Sequence, residues 1–138
     1  MGNLSRIGVA IEEDLLQRFD AHLARLGYDN RSEAFRDLIR AALTQAAAER
    51  EDAPATGTLT LLYDHHVPQL SGRLTEIQHD SESTILSTMH VHLTHHLCLE
   101  VIVLRGTAGE LQRLAGELGS LRGVQHAQLV IAAAGDIL

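Results

Sequence analysis

Aromatic side chains are scarce in this 138-residue sequence: Phe, Trp and Tyr together make up 3%, and tryptophan is absent. Any core must therefore be aliphatic, built from Leu, Ile, Val and Ala. With 45% apolar residues, such a core is feasible in one compact domain or two small ones. Cysteine occurs once, as Cys98, so no internal disulfide can form, which suits a reducing compartment. No basic-plus-apolar leader opens the chain, and no apolar run approaches the roughly 20 residues that span a bilayer. These absences predict a soluble, cytoplasmic protein. Positive charge is also short: 11 Lys and Arg stand against 18 Asp and Glu, a formal net charge of −7. That argues against a general nucleic-acid binder.

What is present is unevenly spread. Residues 1–50 balance to −1, residues 51–138 to −6, and eight of the nine histidines lie in the second stretch. Residues 50–57 (Arg-Glu-Asp-Ala-Pro-Ala-Thr-Gly) lack apolar periodicity and contain Pro and Gly, so they read as a linker. The expected division is a first domain over 1–49, a linker over 50–57 and a second domain over 58–138.

In the first part, Ile7, Val9 and Ile11 alternate with Arg6, Gly8 and Ala10, the period of a half-buried strand. Leu15, Leu16, Phe19, Leu23 and Leu26 then recur at helical spacing, with Gly27 as the stop. A second helix follows Asn30-Arg31-Ser32, with Phe35, Leu38, Ile39, Ala42 and Leu43 as its stripe. One short strand alone leaves both edges unpaired. The simplest remedy is pairing with the same strand of a second chain, Ile7, Val9 and Ile11 facing the helices. The second part reads as two strand–helix–strand copies. Strands are expected near 59–65, 85–93, 97–105 and 124–132, with helices carrying Leu70, Leu74 and Ile77, then Leu111, Leu114 and Leu118. Thr107 and Glu110 form a capping-box pair for the second helix. The order βαββαβ is ferredoxin-like, which makes the whole an α+β protein. Helices cover one sheet face; the other needs a cover or stays wet.

The stretch Met89-His90-Val91-His92-Leu93-Thr94-His95-His96-Leu97-Cys98-Leu99-Glu100 carries the chemistry. On a strand, His90 and His92 share one face. With a hairpin turn centred on His95, His92 sits opposite Cys98 and His90 opposite Glu100, with Cβ atoms roughly 5 Å apart. Imidazole and thiolate together bind Zn, Ni, Cu or Co. His79, eleven residues before His90 and near a helix end, offers a fourth donor. Glu100 is either an outer partner orienting a ligand imidazole or an ordinary exposed strand residue. His65, His95 and His96 fall outside this set, and His22 and His126 read as structural.

Over nearly its whole length the chain resembles the NikR family of nickel-responsive repressors. Asn30-Arg31-Ser32-Glu33-Ala34 with Arg36-Asp37, and His90-x-His92-x5-Cys98-Leu99-Glu100 with His79 upstream, carry the resemblance. It implies a dimeric ribbon-helix-helix domain that lays two strands in the major groove of operator DNA. It implies an ACT-like domain whose open sheet face forms the core of a homotetramer, a dimer of dimers. One Ni(II) per chain would be held in a square-planar set by His90, His92 and Cys98 of one chain and His79 of a neighbour. Glu33 and Asp37 match acids that help bind a second cation between the domains; by themselves they read equally as a solvated helix face.

The DNA end departs from the family pattern. The outward ribbon set is Arg6, Gly8 and Ala10, where members carry Arg and two Thr. Arg6 can still contact guanine, and Ala10 a thymine methyl. Phosphate contacts fall to arginines and to the helix start at Asn30, Arg31 and Ser32. The expected function is a nickel-responsive transcriptional repressor of nickel-uptake genes. The rival is an ACT-type regulator responding to another metal or to a small molecule. An enzyme is not expected: four protein donors leave no open metal position, and no nucleophile–base pair is visible.

Overall fold

The apolar stripe of the first part builds α1 (Glu13–Leu26) in the computed structural model, which describes residues 2–81 and 84–137. Gly27 ends the helix in the left-handed region at φ 85°, where a side chain would be strained. Its N–H bonds the carbonyl of Ala24, and the N–H of Tyr28 bonds that of Leu23, the paired closure of a Schellman turn. α2 (Arg31–Ala48) starts at Asn30, whose Oδ1 accepts from the Glu33 backbone N–H at 2.9 Å. Phe19 and Phe35 stack with centroids 5.5 Å apart.

The chain divides into two compact units, one up to residue 39 and one from residue 40. The boundary thus falls inside α2, ahead of the expected linker. Residues 54–57, expected within that linker, instead open a strand, because Ala55 and Gly57 take the buried positions of its alternation.

In the first unit, residues 7–11 form no strand pairing among the described residues; the pairing expected for them is with a second chain. Ile7 is 79% exposed, and Val9 is exposed too. A lone segment has no ladder partner for its backbone, so nothing in one chain holds it against the helices.

The second unit follows the βαββαβ order. β1 (Pro54–Asp64), α3 (Leu70–Asp80), β2 (Ile85–His92), β3 (Leu97–Thr107), α4 (Ala108–Gly119) and β4 (Val124–Ala134) form one antiparallel sheet ordered β2-β3-β1-β4. A short 3-10 turn, Gly135–Ile137, follows. Strict alternation puts Leu59, Leu61 and Tyr63 of β1 and Cys98, Glu100, Ile102 and Leu104 of β3 on the buried face. Leu70, Leu74 and Ile77 of α3 and Leu111, Leu114 and Leu118 of α4 cover it. Thr107 caps α4: its Oγ1 accepts from the Glu110 N–H at 3.2 Å and donates to Glu110 Oε1 at 3.1 Å. The Glu110 carboxylate thus turns to hydroxyls, those of Thr107 and Thr84. The opposite sheet face stays open, with Met89, Val91 and Val130 exposed on it. Among the described residues, no helix is long and apolar enough to cross a membrane.

Candidate metal centre

Register places the histidines. In the β2–β3 hairpin His92 pairs with Cys98 and His90 with Glu100, as the spacing predicts. The turn over 93–96 is closed by Leu93 N–H to the Leu97 carbonyl at 2.9 Å. Thr94 Oγ1 accepts from the N–H groups of His96 and Leu97. Across β3, Tyr63 of β1 pairs with Cys98. One row of the buried face therefore reads His92, Cys98, Tyr63, and the next reads His90, Glu100, Leu61.

Cys98 is completely buried, and its Sγ is the focus of the cluster. His92 Nδ1 lies 3.4 Å from it and His65 Nδ1 3.1 Å. Ligand atoms of His65, His92 and Cys98 all fall within 4.8 Å of one another. Burial, then the negative charges of Glu100 and Asp64, push the Cys98 thiol above its ordinary value. That favours the protonated thiol, and metal binding there would require loss of its proton. Desolvation, then the neighbouring imidazoles of His66 and His92, lower His65, which favours the neutral ring that donates to metals.

His90 sits beside this group, its ring centroid 5.1 Å from that of His92 and its Nδ1 3.5 Å from the Tyr63 hydroxyl. His90 and His79 line one cavity of about 400 Å³ between α3 and the β2 edge, together with Tyr63, Gln78 and Glu100. Glu100 is 5% exposed, so the exposed-strand alternative fails. Gln78 Nε2 reaches both of its carboxylate oxygens at 3.3 Å. Burial, Glu100 and Cys98 raise the Tyr63 phenol well above its usual range, so it remains a neutral hydroxyl.

Of the four donors expected from sequence, one chain thus brings His92 and Cys98 together, with His90 next to them. His79 lies on the neighbouring cavity. His65, outside the expected set, belongs to the tightest cluster. The signal for it is the β1–β3 register, which carries the chain end of β1 past the start of β3. A backbone bond from His65 N–H to the His96 carbonyl at 3.0 Å continues that approach.

Further along, His66 Nε2 meets the His95 carbonyl at 2.9 Å, and the rings of His66, His95 and His96 gather at the hairpin.

In the first unit, Arg6, Gly8 and Ala10 are exposed, and a Cβ at Gly8 would meet nothing within 4 Å. Arg31 does not stand free: its Nε and Nη2 fork onto the Asp20 carboxylate at 2.9 and 2.7 Å. Asp37 accepts from the Tyr28 hydroxyl at 2.6 Å. The Glu33 and Tyr28 groups are close enough to interact electrostatically.

The donor set suits a borderline transition metal, since a buried thiol with flanking imidazoles supplies N and S ligands and no hard oxygen cage. Comparison with known proteins agrees. Residues 56–132 match the model of the NikR C-terminal nickel-binding domain, and residues 5–46 that of ribbon-helix-helix proteins of the copG family. A protein of Solibacter usitatus, provisionally named a nickel-responsive regulator, is 52% identical over 98% of this chain and 97% of its own length. One of the same provisional name from Geobacter sulfurreducens is 50% identical, covering 100% of this chain and 99% of its own. An uncharacterised Thermotoga maritima protein of known structure has a TM-score of 0.53 at 19% identity. It covers 57% of this chain and 98% of that one, a likeness of fold.

Proposed function

The chain belongs to the NikR family of nickel-responsive regulators, and on that premise we propose that it represses nickel-uptake genes by binding operator DNA in a nickel-dependent way. The carrying observation is the buried Cys98 thiol with His92 across the hairpin and His90 beside it, inside the matched nickel-binding domain. The protein is a DNA-binding regulator rather than an enzyme.

His90, His92 and Cys98 of one chain, with His79 of a neighbouring chain, would hold Ni(II). Held by donors from two chains, the ion would link those chains. Cys98 would contribute its sulfur as the thiolate, its proton passing to solvent. Glu100, opposite His90 in the hairpin and bonded by Gln78 of α3, ties the ligand strand to the helix that carries His79. Ordering at the strand is thereby passed to α3. The exposed apolar sheet face, with Met89 64% exposed, is the surface expected to close in a homotetramer. The DNA end consists of Arg6, Gly8 and Ala10 on the ribbon and Asn30, Arg31 and Ser32 at the start of α2. Arg31 exchanges Asp20 for phosphate on binding. Glu33 and Asp37 would carry the second cation, Asp37 keeping its bond from Tyr28. The location is the cytoplasm.

Coupling requires that nickel favour the DNA-competent arrangement and that DNA raise nickel affinity by the same factor. The test is anaerobic Ni(II) titration followed by ultraviolet–visible absorption, on the wild type and on Cys98→Ser. We expect a thiolate-to-nickel band saturating at one ion per chain. The variant should lose the band, with affinity reduced more than about 100-fold, since outer partners alone are worth roughly 10–100-fold. A wild type without that band, or a variant that keeps it, sinks the reading. Unchanged nickel affinity in the presence of operator DNA sinks the coupling alone.

A further inference from the structure

We propose that the first turn of α4 is the joint that couples the metal site to α2, with Thr84, Glu110 and Gln112 as its positioning residues. The proposal deepens the reading above and rests on it, since nickel binding is the signal the joint would carry.

α2 runs unbroken from the first unit into the second. Whatever fixes its last turn therefore acts on the helix that starts at Arg31 and Ser32. The second unit grips that last turn. The first backbone N–H groups of a helix find no partner within it. In α4 the Ala108 N–H donates to the Ala53 carbonyl at 2.8 Å, and the Gly109 N–H to the Glu51 carbonyl at 2.9 Å. The last carbonyls of α2 have the converse need. Gln112 Nε2 donates to that of Ala48 at 3.1 Å. Packing there is close. A Cβ on Gly109 would stand 3.1 Å from the Glu51 carbonyl oxygen, and one on Gly135 would stand 3.0 Å from the Ala47 Cβ. Residues 51–53, expected to be a slack linker, are thus held.

The same turn of α4 reaches the strand of the metal site. Glu110, next after Gly109, accepts from the Thr84 hydroxyl at 3.2 Å. Thr84 is buried and immediately precedes β2, which carries His90 and His92. Its carbonyl accepts from the Arg105 N–H at 2.8 Å, extending the β2–β3 ladder by one step. One helical turn therefore bonds the start of the ligand strand on one side and the segment after α2 on the other. Fixing β2 on metal binding favours the Thr84–Glu110 contact, and with it the arrangement in which α4 holds residues 48–53. The joined arrangement gains only as much as nickel's preference for it.

The experiment is amide hydrogen exchange of the full chain, read over residues 44–53 with and without Ni(II), on wild type, Gln112→Ala and Thr84→Val. Ultraviolet–visible absorption of the same samples follows the nickel–thiolate band. In the wild type we expect nickel to slow exchange of that segment by about tenfold or more, the size of an ordinary coupling. Gln112→Ala should speed its exchange even without metal. Thr84→Val should leave metal-free exchange near that of the wild type, because the Thr84 hydroxyl bonds Glu110 and not the segment itself. It should keep the nickel band yet lose most of the slowing, which a merely structural clamp would not do. A Thr84→Val variant that keeps the full slowing overturns the proposal. So does unaltered metal-free exchange in Gln112→Ala, which would mean that α4 does not hold the end of α2. A wild type whose band forms without any slowing ends the joint alone; a wild type with no band ends the nickel reading and the joint with it.

Discussion

The two units of this chain use the same aliphatic alphabet with opposite results. The unit from residue 40 buries a continuous core of Leu, Ile, Tyr and Cys between sheet and helices. Among its described residues, the unit up to residue 39 buries only Leu23 and Ala34, and leaves Ile7, Val9, Leu15, Leu26, Leu38 and Ile39 exposed. Both stretches are well patterned, so patterning alone does not make a core. A four-stranded sheet supplies its own ladder partners; a single strand-like segment with two helices does not. The first unit therefore leaves apolar surface on its strand-like segment and helices uncovered, where the proposed second copy would lie, and the second unit leaves one sheet face open.

That contrast can be broken most directly in the core. Leu111→Ala, at a site with no solvent exposure, should cost about 2–5 kcal/mol of sheet-unit stability. Thermal unfolding followed by circular dichroism measures it, and a cost near zero would mean the unit is loosely packed. A smaller effect is expected from dilution. If the first unit closes against a second copy as proposed, its transition should fall with protein concentration while the sheet unit's stays nearer its place. Concentration-independent melting of both would make the first unit self-sufficient. Next comes Thr107→Ala, which removes the cap on α4 and should cost about 1 kcal/mol by denaturant titration. The smallest effect is electrostatic. The Arg31 hydrogen bond, with its charge, holds Asp20 below the usual carboxylate range. A depressed carboxyl stabilises above its unfolded value, and that contribution disappears as pH falls through its lowered folded value. Asp20→Asn should flatten this acid limb of the first unit's stability, and an identical limb would remove the ion pair from the account. The size will be small, because both side chains are about half exposed.

The hairpin cluster was readable because it is local. Alternation and a four-residue turn suffice to set His92 against Cys98 and His90 against Glu100, and the register agrees with both pairings. The helix stop at Gly27 and the Thr107 cap were readable for the same reason. His65 was not. It reaches Cys98 through the pairing of β1 with β3, strands joined by α3 and β2, and no residue pattern sets the register of partners that far apart. The strand start at Pro54 was hidden by composition: Pro, Thr and Gly resemble a linker until Ala55 finds its place in the core. Burial of Glu100 was likewise undecided in one dimension, since a charged residue at an inward position is buried only if a helix covers it. Gln78 of α3 does so.

By itself, then, the sequence determined the element order and aliphatic core positions of the second unit, the hairpin pairing and the family, because each rests on short-range periodicity or on a motif of fixed spacing. Tertiary structure alone decided which strand lies beside which, and so which imidazole meets the thiol, that Glu100 is enclosed, and that residues 7–11 find no strand partner among the described residues. Those outcomes depend on contacts between segments far apart along the chain, where the free energy of packing sets the register and local preference is silent.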